Sequence, residues 1–463
     1  MTINIIWTYG LIIGAILLPI VVLPDILRTR RSPAATMAWA LGVVLLPFVA
    51  VPLYFLLAGR TLPQRLQRRK QRLDLPRDAV VPEEETNDID RLIRHLGLPG
   101  STNGNSIVWQ NDGCSAYTAL LDVIDNAKRS ISVCVYIFEA DEIGQQVLDR
   151  LEQRAKEGLE VCLLVDGVGS IDLSESKLNP LRAAGAKVAT FNRLLFGAPR
   201  GLANLRNHRK SVIADSRRVW SGGRNISGDY LGADPDNNKC WTDLTFVLEG
   251  PAARIYEQIF ASDWAFAAGE ELKRDRTPIA AIANGDCVAQ VVPSGPDAPN
   301  DALFSVLLKA SYAARKRIWI VTPYFVPEDS LQHAWVLAAK LGVDVRFVVP
   351  DKSDSRLVDV ARMDYLRELQ RAGAKILRYR GATLHMKAFV FDDTVAAVGS
   401  ANMDIRSLFL NFEAMTFVYS EHAVSAVATT IEGLFGKSSE GVRPIGRYRG
   451  MLSGAARLLA PLL

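Results

Sequence analysis

Two stretches of this 463-residue chain repeat one pattern of chemically capable side chains. His208-Arg-Lys210 is followed after four residues by Asp215, and after six more by Gly222-Gly223-Arg224-Asn225. His385-Met-Lys387 is followed at the same spacing by Asp392 and by Gly399-Ser400-Ala401-Asn402. After a given histidine, such a set of specified residues arises by chance roughly once in a hundred thousand, so two copies are a signal. The pattern holds no carboxylate cluster suited to Mg²⁺ and no compact set of Zn²⁺ ligands, so neither a metal nor another cofactor is expected. Its two imidazoles, two lysines and two asparagines suit a phosphodiester. Lys210, Lys387, Asn225 and Asn402 can hold the two free phosphate oxygens as charge accumulates, and one well-aimed donor of that kind is worth about 2.7–4 kcal/mol. A histidine of ordinary pKa, about 6.5, attacks phosphorus when neutral and protonates a leaving alkoxide when charged. Two histidines in opposite protonation states divide those tasks.

The elements that must position these residues are themselves duplicated. Ile131-Ser-Val-Cys-Val-Tyr-Ile-Phe138 corresponds to Ile318-Trp-Ile-Val-Thr-Pro-Tyr-Phe325, and both read as buried strands. Ala155–Val161 pairs with Ala339–Val345, and Ala184-Gly-Ala-Lys-Val188 with Ala372-Gly-Ala-Lys-Ile376, each glycine standing where a helix should stop before a strand. Strands alternating with helices predict an α/β protein of two halves, 106–285 and 286–463, each with a largely parallel sheet, packed about a pseudo-twofold axis.

Ahead of the halves lie two apolar segments. Ile5–Leu27 carries one charge, Asp25, and Ala34–Ala58 carries none. Each is long enough to cross a bilayer, so residues 1–60 are expected to form two transmembrane or membrane-embedded helices. Three arginines, Arg28, Arg30 and Arg31, lie between the segments, and six basic residues follow the second, from Arg60 to Arg72. The larger cluster places the bulk of the chain in the cytoplasm, while the three arginines of the loop count against a full first crossing. Residues 61–105 read as a linker carrying a short helix over Ile89–Leu96, with Asn87 or Asp88 as its cap and Gly97 as its stop.

Composition narrows the class. Apolar residues make up 49% and charged residues 22%, which excludes a disordered chain. Lys and Arg number 54 against 50 Asp and Glu, a balance too even to argue for nucleic acid. The five cysteines form no C-x-x-C pair, which fits a reducing compartment. His95, His333 and His422 lack partner spacing and read as ordinary helix residues.

The duplicated His-x-Lys-x4-Asp motif resembles that of the phospholipase D superfamily. A narrower resemblance is to bacterial cardiolipin synthases of the two-span membrane type. It rests on Arg31-Ser32-Pro33 leading into Ala38-Trp39, on Thr322-Pro-Tyr-Phe-Val-Pro327, on Gly399-Ser-Ala-Asn-Met-Asp-Ile-Arg-Ser407 followed by Asn411-Phe-Glu413, and on the Arg457–Leu463 terminus. The resemblance implies a two-step displacement through a phosphohistidine, with His208 as nucleophile and His385 as acid and then base. It implies that Glu413 orients His385 and Asp243 orients His208. Gly223 stands where the second copy has Ser400, so one hydroxyl donor is missing. Asp215 and Asp392 are carried over as catalytic candidates, with bracing of the strand–loop geometry as their equal alternative.

The implied reaction joins two phosphatidylglycerol molecules into cardiolipin in the bacterial inner membrane. Hydrolysis of phospholipids remains the first alternative and a nuclease the second. The 11 residues by which the first half exceeds the second between its Gly-Ala-Lys strand and its histidine, around Arg193–Arg200, read as a basic-apolar loop that can dip into the membrane interface. The tail from Arg443 to Leu463 reads as a second basic-apolar surface.

Overall fold

The computed structural model describes residues 2–28, 33–57, 87–192, 205–232, 240–272 and 279–443. The Arg193–Arg200 loop and the tail beyond Arg443 lie outside them. The N-terminal helices form one unit, and residues 87–192 and 206–443, where described, form the other.

The first unit has three helices: α1 (Thr2–Arg28), α2 (Pro33–Leu45) and α3 (Pro47–Leu57). The apolar run Ala34–Ala58, expected as a single span, is therefore broken. A proline inside a helix removes a hydrogen bond and clashes with the preceding turn, but it is accommodated at a helix start, where Pro47 sits. The chain reverses there. Trp39 of α2 meets Tyr54 of α3 edge-on, with ring centroids 5.4 Å apart, and Gly42 faces Ala50, where a Cβ would stand in ordinary contact at 3.5 Å. Tyr54 donates to Asp25 of α1 at 2.7 Å. Val22, Ile26, Val43, Ala50 and Val51 bury between the helices. Among the described residues no helix is long and apolar enough to cross a membrane; the described side chains of α1 begin, apart from Tyr9, at Ile13.

In the second unit the first half supplies β1 (Thr102–Gln110), β2 (Ser130–Val135), β3 (Glu160–Asp166), β4 (Lys187–Phe191), β5 (Ser211–Ala214), β6 (Arg218–Gly222) and β7 (Thr245–Glu249). The second half supplies β8 (Cys287–Ser294), β9 (Arg317–Val321), β10 (Phe325–Val326), β11 (Asp344–Pro350), β12 (Lys375–Tyr379), β13 (Ala388–Phe391), β14 (Val395–Gly399), β15 (Met403–Asp404), β16 (Glu413–Val418) and β17 (Ser438–Glu440). All but β10 and β15 join in one 15-stranded sheet. Outward from the central β1–β8 pair the order is β7-β6-β5-β2-β3-β4 on one side and β16-β14-β13-β9-β11-β12 on the other, closed by β17. The expected duplication is thus present as two matching series within a continuous sheet.

Within the 15-stranded sheet the parallel pairings are those of β2–β3–β4 and β9–β11–β12, and β10 and β15 form a separate parallel pair. The other pairings of the large sheet are antiparallel, which corrects the expectation of largely parallel halves. Helical crossovers separate the outer strands, whereas short turns join β5 to β6 and β13 to β14, and a short turn returns the chain antiparallel. The glycines of the repeated Ala-Gly-Ala-Lys run adopt the left-handed conformation, with φ of 98° at Gly185 and 106° at Gly373, where a helix ends and a strand follows. Each half encloses its own apolar core. The expected short helix runs Asp88–His95, capped by Asn87, whose side chain accepts from the Ile89 and Asp90 amides. Its Ile89 and Ile93 lie in the core of the second half, so this end of the expected linker is built into the folded body.

Candidate active site

Two short parallel bridges between the halves set the register of the site. Asn207 pairs with Phe412, and Thr242 pairs with Leu384. The His208 amide donates to the Phe412 carbonyl at 2.9 Å, and the His385 amide to the Thr242 carbonyl at 2.8 Å. The residue after each bridge therefore stands beside its counterpart from the other half. His208 meets Glu413, with Nδ1 2.9 Å from Oε2, and His385 meets Asp243, with Nδ1 2.6 Å from Oδ2. This reverses the expected partners: each imidazole is oriented by a carboxylate of the opposite half. A carboxylate on Nδ1 fixes that nitrogen as the donor and leaves Nε2 to face a substrate.

All four side chains are buried. Burial is the main influence on both rings. It lowers His208 to about 4 against the opposing pull of Glu413. It lowers His385 to about 3, aided by the Lys387 charge and opposed by Asp243. Both imidazoles are neutral at pH 7 in the empty site. Burial pushes the Asp243 carboxyl up, but the His385 hydrogen bond and the Lys387 charge outweigh it and leave Asp243 lowered.

The two lysines are placed differently. Lys210 donates to the His208 carbonyl at 2.7 Å and lies over the Tyr136 ring. Lys387 reaches the His385 ring itself, 2.9 Å from Nε2, as well as the His385 carbonyl. Burial lowers Lys210 to about 7 and Lys387 to about 8, with nearby carboxylates resisting the shift. Both asparagines are buried beside the histidine pair's strands. Asn225 Oδ1 accepts from the Ile137 amide at 3.2 Å. Asn402 Oδ1 has no hydrogen-bond partner among the described residues.

Ser400 Oγ accepts from the Ala414 amide at 3.0 Å and donates to the Ala414 carbonyl at 3.4 Å. The glycine at its counterpart has a steric cause: a Cβ on Gly223 would come within 2.2 Å of Asp243 Oδ1. Asp215 and Asp392, candidates for catalysis by motif, bind backbone amides. Asp215 accepts from the amides of Lys128, Arg129 and Ser130 at 2.7–3.0 Å. Asp392 accepts from those of Arg315, Lys316 and Arg317 over a similar range. Both take φ values above +50°, at the turns that close β5–β6 and β13–β14, and each ties its hairpin to the start of β2 or β9.

Several contributors carry no motif signal. Tyr136 packs edge-on against His208 with centroids 4.9 Å apart. Tyr230 and Trp241 wall His385 at 5.1 and 5.4 Å. Arg209, the variable residue of the first motif, is buried and bonds Asp263 at 2.6 Å, the Glu413 carbonyl at 3.0 Å and the Ser294 carbonyl at 3.3 Å. Burial would lower its pKa, but the charges of Asp263 and Asp297 outweigh that and hold it protonated. Met386 takes its place in the second copy, so only one half has this clamp. The Trp-Thr-Asp run and the central position of Arg209 in its motif were the available sequence signals. His95, His333 and His422 sit exposed on helices away from the pair, and Arg443, counted with the basic tail, pairs with Asp351. Among the described residues no His, Cys, Asp and Glu side chains gather in a group of three that could hold a metal ion.

The chain resembles known proteins over nearly its whole length. The family described as "Cardiolipin synthase, PLD-like domain" matches residues 120–264 and 307–435, together more than half of the chain. A second family, "Phospholipase_D-nuclease N-terminal", matches residues 17–59. Cardiolipin synthase 1 of Bacillus cereus is 33% identical over 94% of this chain and 90% of its own. Cardiolipin synthase A of Pseudomonas entomophila is 30% identical over 98% of both. The crystal structure of phosphatidylserine synthase of Haemophilus influenzae covers 81% of this chain and all of its own with a TM-score of 0.60 at 16% identity, a likeness of fold.

Proposed function

The chain belongs to the cardiolipin synthase family of phospholipase D-like proteins, and from that premise we propose that it joins two phosphatidylglycerol molecules into cardiolipin and glycerol. The observation that carries the chemistry is the crossed pair of imidazoles, each with Nδ1 on a carboxylate and a buried lysine beside it. The substrates follow from what the relatives are named for.

His208 is the nucleophile. In the empty site Lys387 engages the His385 ring, whereas Lys210 reaches only the His208 backbone, which leaves Nε2 of His208 to attack. It forms a P–N bond to the first phosphatidylglycerol while the bond from phosphorus to the glycerol oxygen breaks. His385 takes up a proton at Nε2 as the phosphodiester binds and donates it to that oxygen, and glycerol leaves. The entering phosphodiester draws Lys387 from the ring and supplies the negative charge that favours the His385 cation. Lys210, Lys387, Asn225 and Asn402 hold the phosphate oxygens through their N–H donors. The terminal hydroxyl of a second phosphatidylglycerol then gives its proton to His385 and attacks phosphorus, the P–N bond breaks, and cardiolipin departs. One phosphodiester replaces another, so the reaction is near thermoneutral and reversible. Hydrolysis is suppressed to the extent that water is kept from the intermediate. The protein acts at the bacterial cytoplasmic membrane with its catalytic unit on the cytoplasmic side.

The test is incubation of the detergent-solubilised protein with phosphatidylglycerol alone, beside His208→Ala and His385→Ala. Equal amounts of cardiolipin and glycerol, lost in both variants, are expected. Phosphatidic acid and glycerol without cardiolipin would make the protein a hydrolase.

A further inference from the structure

We infer that α2 and α3 form a re-entrant hairpin, which enters one leaflet of a lipid bilayer and returns to the face it came from, in place of the membrane crossing expected of Ala34–Ala58. The inference goes beyond the proposed reaction and rests only on the protein being membrane-associated.

The geometry of the pair comes first. Trp39 faces Tyr54 and Gly42 faces Ala50, an antiparallel register that brings the start of α2 at Pro33 and the end of α3 at Leu57 to one end. With 13 and 11 residues at about 1.5 Å each, the two arms reach about 20 and 16 Å, short of a hydrocarbon core of about 30 Å. At the tip, Phe48 lies against Gly14, so the hairpin ends level with the middle of the 27-residue α1. The reversal also meets the demand that hydrocarbon places on backbone: the Leu46 amide donates to Gly42 and the Leu46 carbonyl accepts from Val49 and Ala50, at 2.7–3.0 Å.

The surface identifies the occupant. The tip exposes Leu45 by 71% and Leu46 by 62%, with Phe48 and Val49 beside them, and α1 exposes Ile16, Leu17, Ile20 and Val21. A contiguous apolar surface of this kind on a unit with a single described carboxylate, itself bonded to Tyr54, suits acyl chains. Charge supports the same arrangement independently. Arg28, Arg30 and Arg31 adjoin the start of α2, and the cluster from Arg60 to Arg72 follows α3. A second crossing would set these two clusters on opposite faces of the membrane. A re-entrant hairpin places both at its feet on one face, as basic flanks prefer, and it removes the conflict that the loop arginines pose for a two-span topology.

The experiment labels the full chain in right-side-out and inside-out membrane vesicles with a membrane-impermeant maleimide, using Thr29→Cys, Leu46→Cys and Thr61→Cys, with the parent chain and its five native cysteines as the blank. Labelling needs no turnover, so its result stands whether or not the lipid reaction is as proposed. Positions 29 and 61 are expected to react in the same vesicle orientation, and position 46 only after detergent. Labelling of 29 and 61 from opposite faces, of 46 from the face opposite to 29, or of neither 29 nor 61 before detergent would overturn the inference.

Discussion

Glu413, in the second half, holds Nδ1 of His208, in the first, at 2.9 Å. With Asp243 and His385 doing the converse at 2.6 Å, neither half contains a complete histidine–carboxylate pair. Glu413→Gln should impair formation of the phosphohistidine and Asp243→Asn the proton transfers at His385, each by roughly 10²–10⁴-fold in kcat, the range for a misoriented imidazole. Because His385 protonates the glycerol that leaves as the phosphohistidine forms, rapid-quench analysis should show the intermediate depleted in both. Loss of the intermediate in Asp243→Asn with its retention in Glu413→Gln would restore the partners expected from sequence order.

The pH profile should be displaced toward acid. Burial lowers Lys210 to about 7 and Lys387 to about 8, so both lose their charge as pH rises through 7–8 rather than near the ordinary value of about 10.4. A neutral amine holds an anionic phosphodiester weakly, so kcat/KM, which reports the free enzyme, should fall over that range. A profile flat to pH 10 would contradict it.

Stability should follow the histidines with the opposite limb. Their folded values, about 4 and about 3, lie below the unfolded value of about 6.5. Between those limits the unfolded chain binds more protons, so stability falls as pH drops from about 6.5 toward 4. Replacing both with Asn should flatten that part of a denaturation series; an unchanged slope would remove the histidines as its cause.

Gly223→Ser, although it copies the residue of the other half, should disable the enzyme. The new Cβ would stand 2.2 Å from Asp243 Oδ1 and displace the partner of His385. Ser400→Gly loses the hydroxyl's hydrogen bonds to the Ala414 amide and carbonyl, worth about 1 kcal/mol each, and should keep most of its turnover. Equal activities in the two variants would refute the steric account.

Asp215→Ala should cost stability and spare the chemistry. It removes three hydrogen bonds to amides, two of them exposed, at about 0.5–1.5 kcal/mol each, and should lower the melting temperature while turnover of the folded protein is kept. Lost turnover at full stability would return Asp215 to the catalytic set.

The duplicated motif, the repeated alternation of strands and helices and the helix-ending glycines were legible because each is local: a spacing, a period, a φ preference. The crossed partners were not. Asp243 follows His208 and Glu413 follows His385 within their own halves, and chain order suggests pairing inside each half. What decides otherwise is a pair of isolated bridges, Asn207–Phe412 and Thr242–Leu384, between segments with no hydrophobic period to announce them. Asp215 was ambiguous for a related reason: a motif records that a residue is required, and both a brace and a catalyst satisfy that. The run Ala34–Ala58 is uniformly apolar, so its reversal at Leu46-Pro47 leaves no trace in hydropathy. Only Pro47, which starts α3, hinted at it.

The most direct test of the account is to quench the protein during turnover of radiolabelled phosphatidylglycerol and map the covalent adduct. The account predicts an acid-labile phosphatidyl group on His208, which forms in the wild type, is absent in His208→Ala, and passes to a second phosphatidylglycerol to give cardiolipin. An adduct on His385, or full cardiolipin synthesis with His208 replaced, would contradict it.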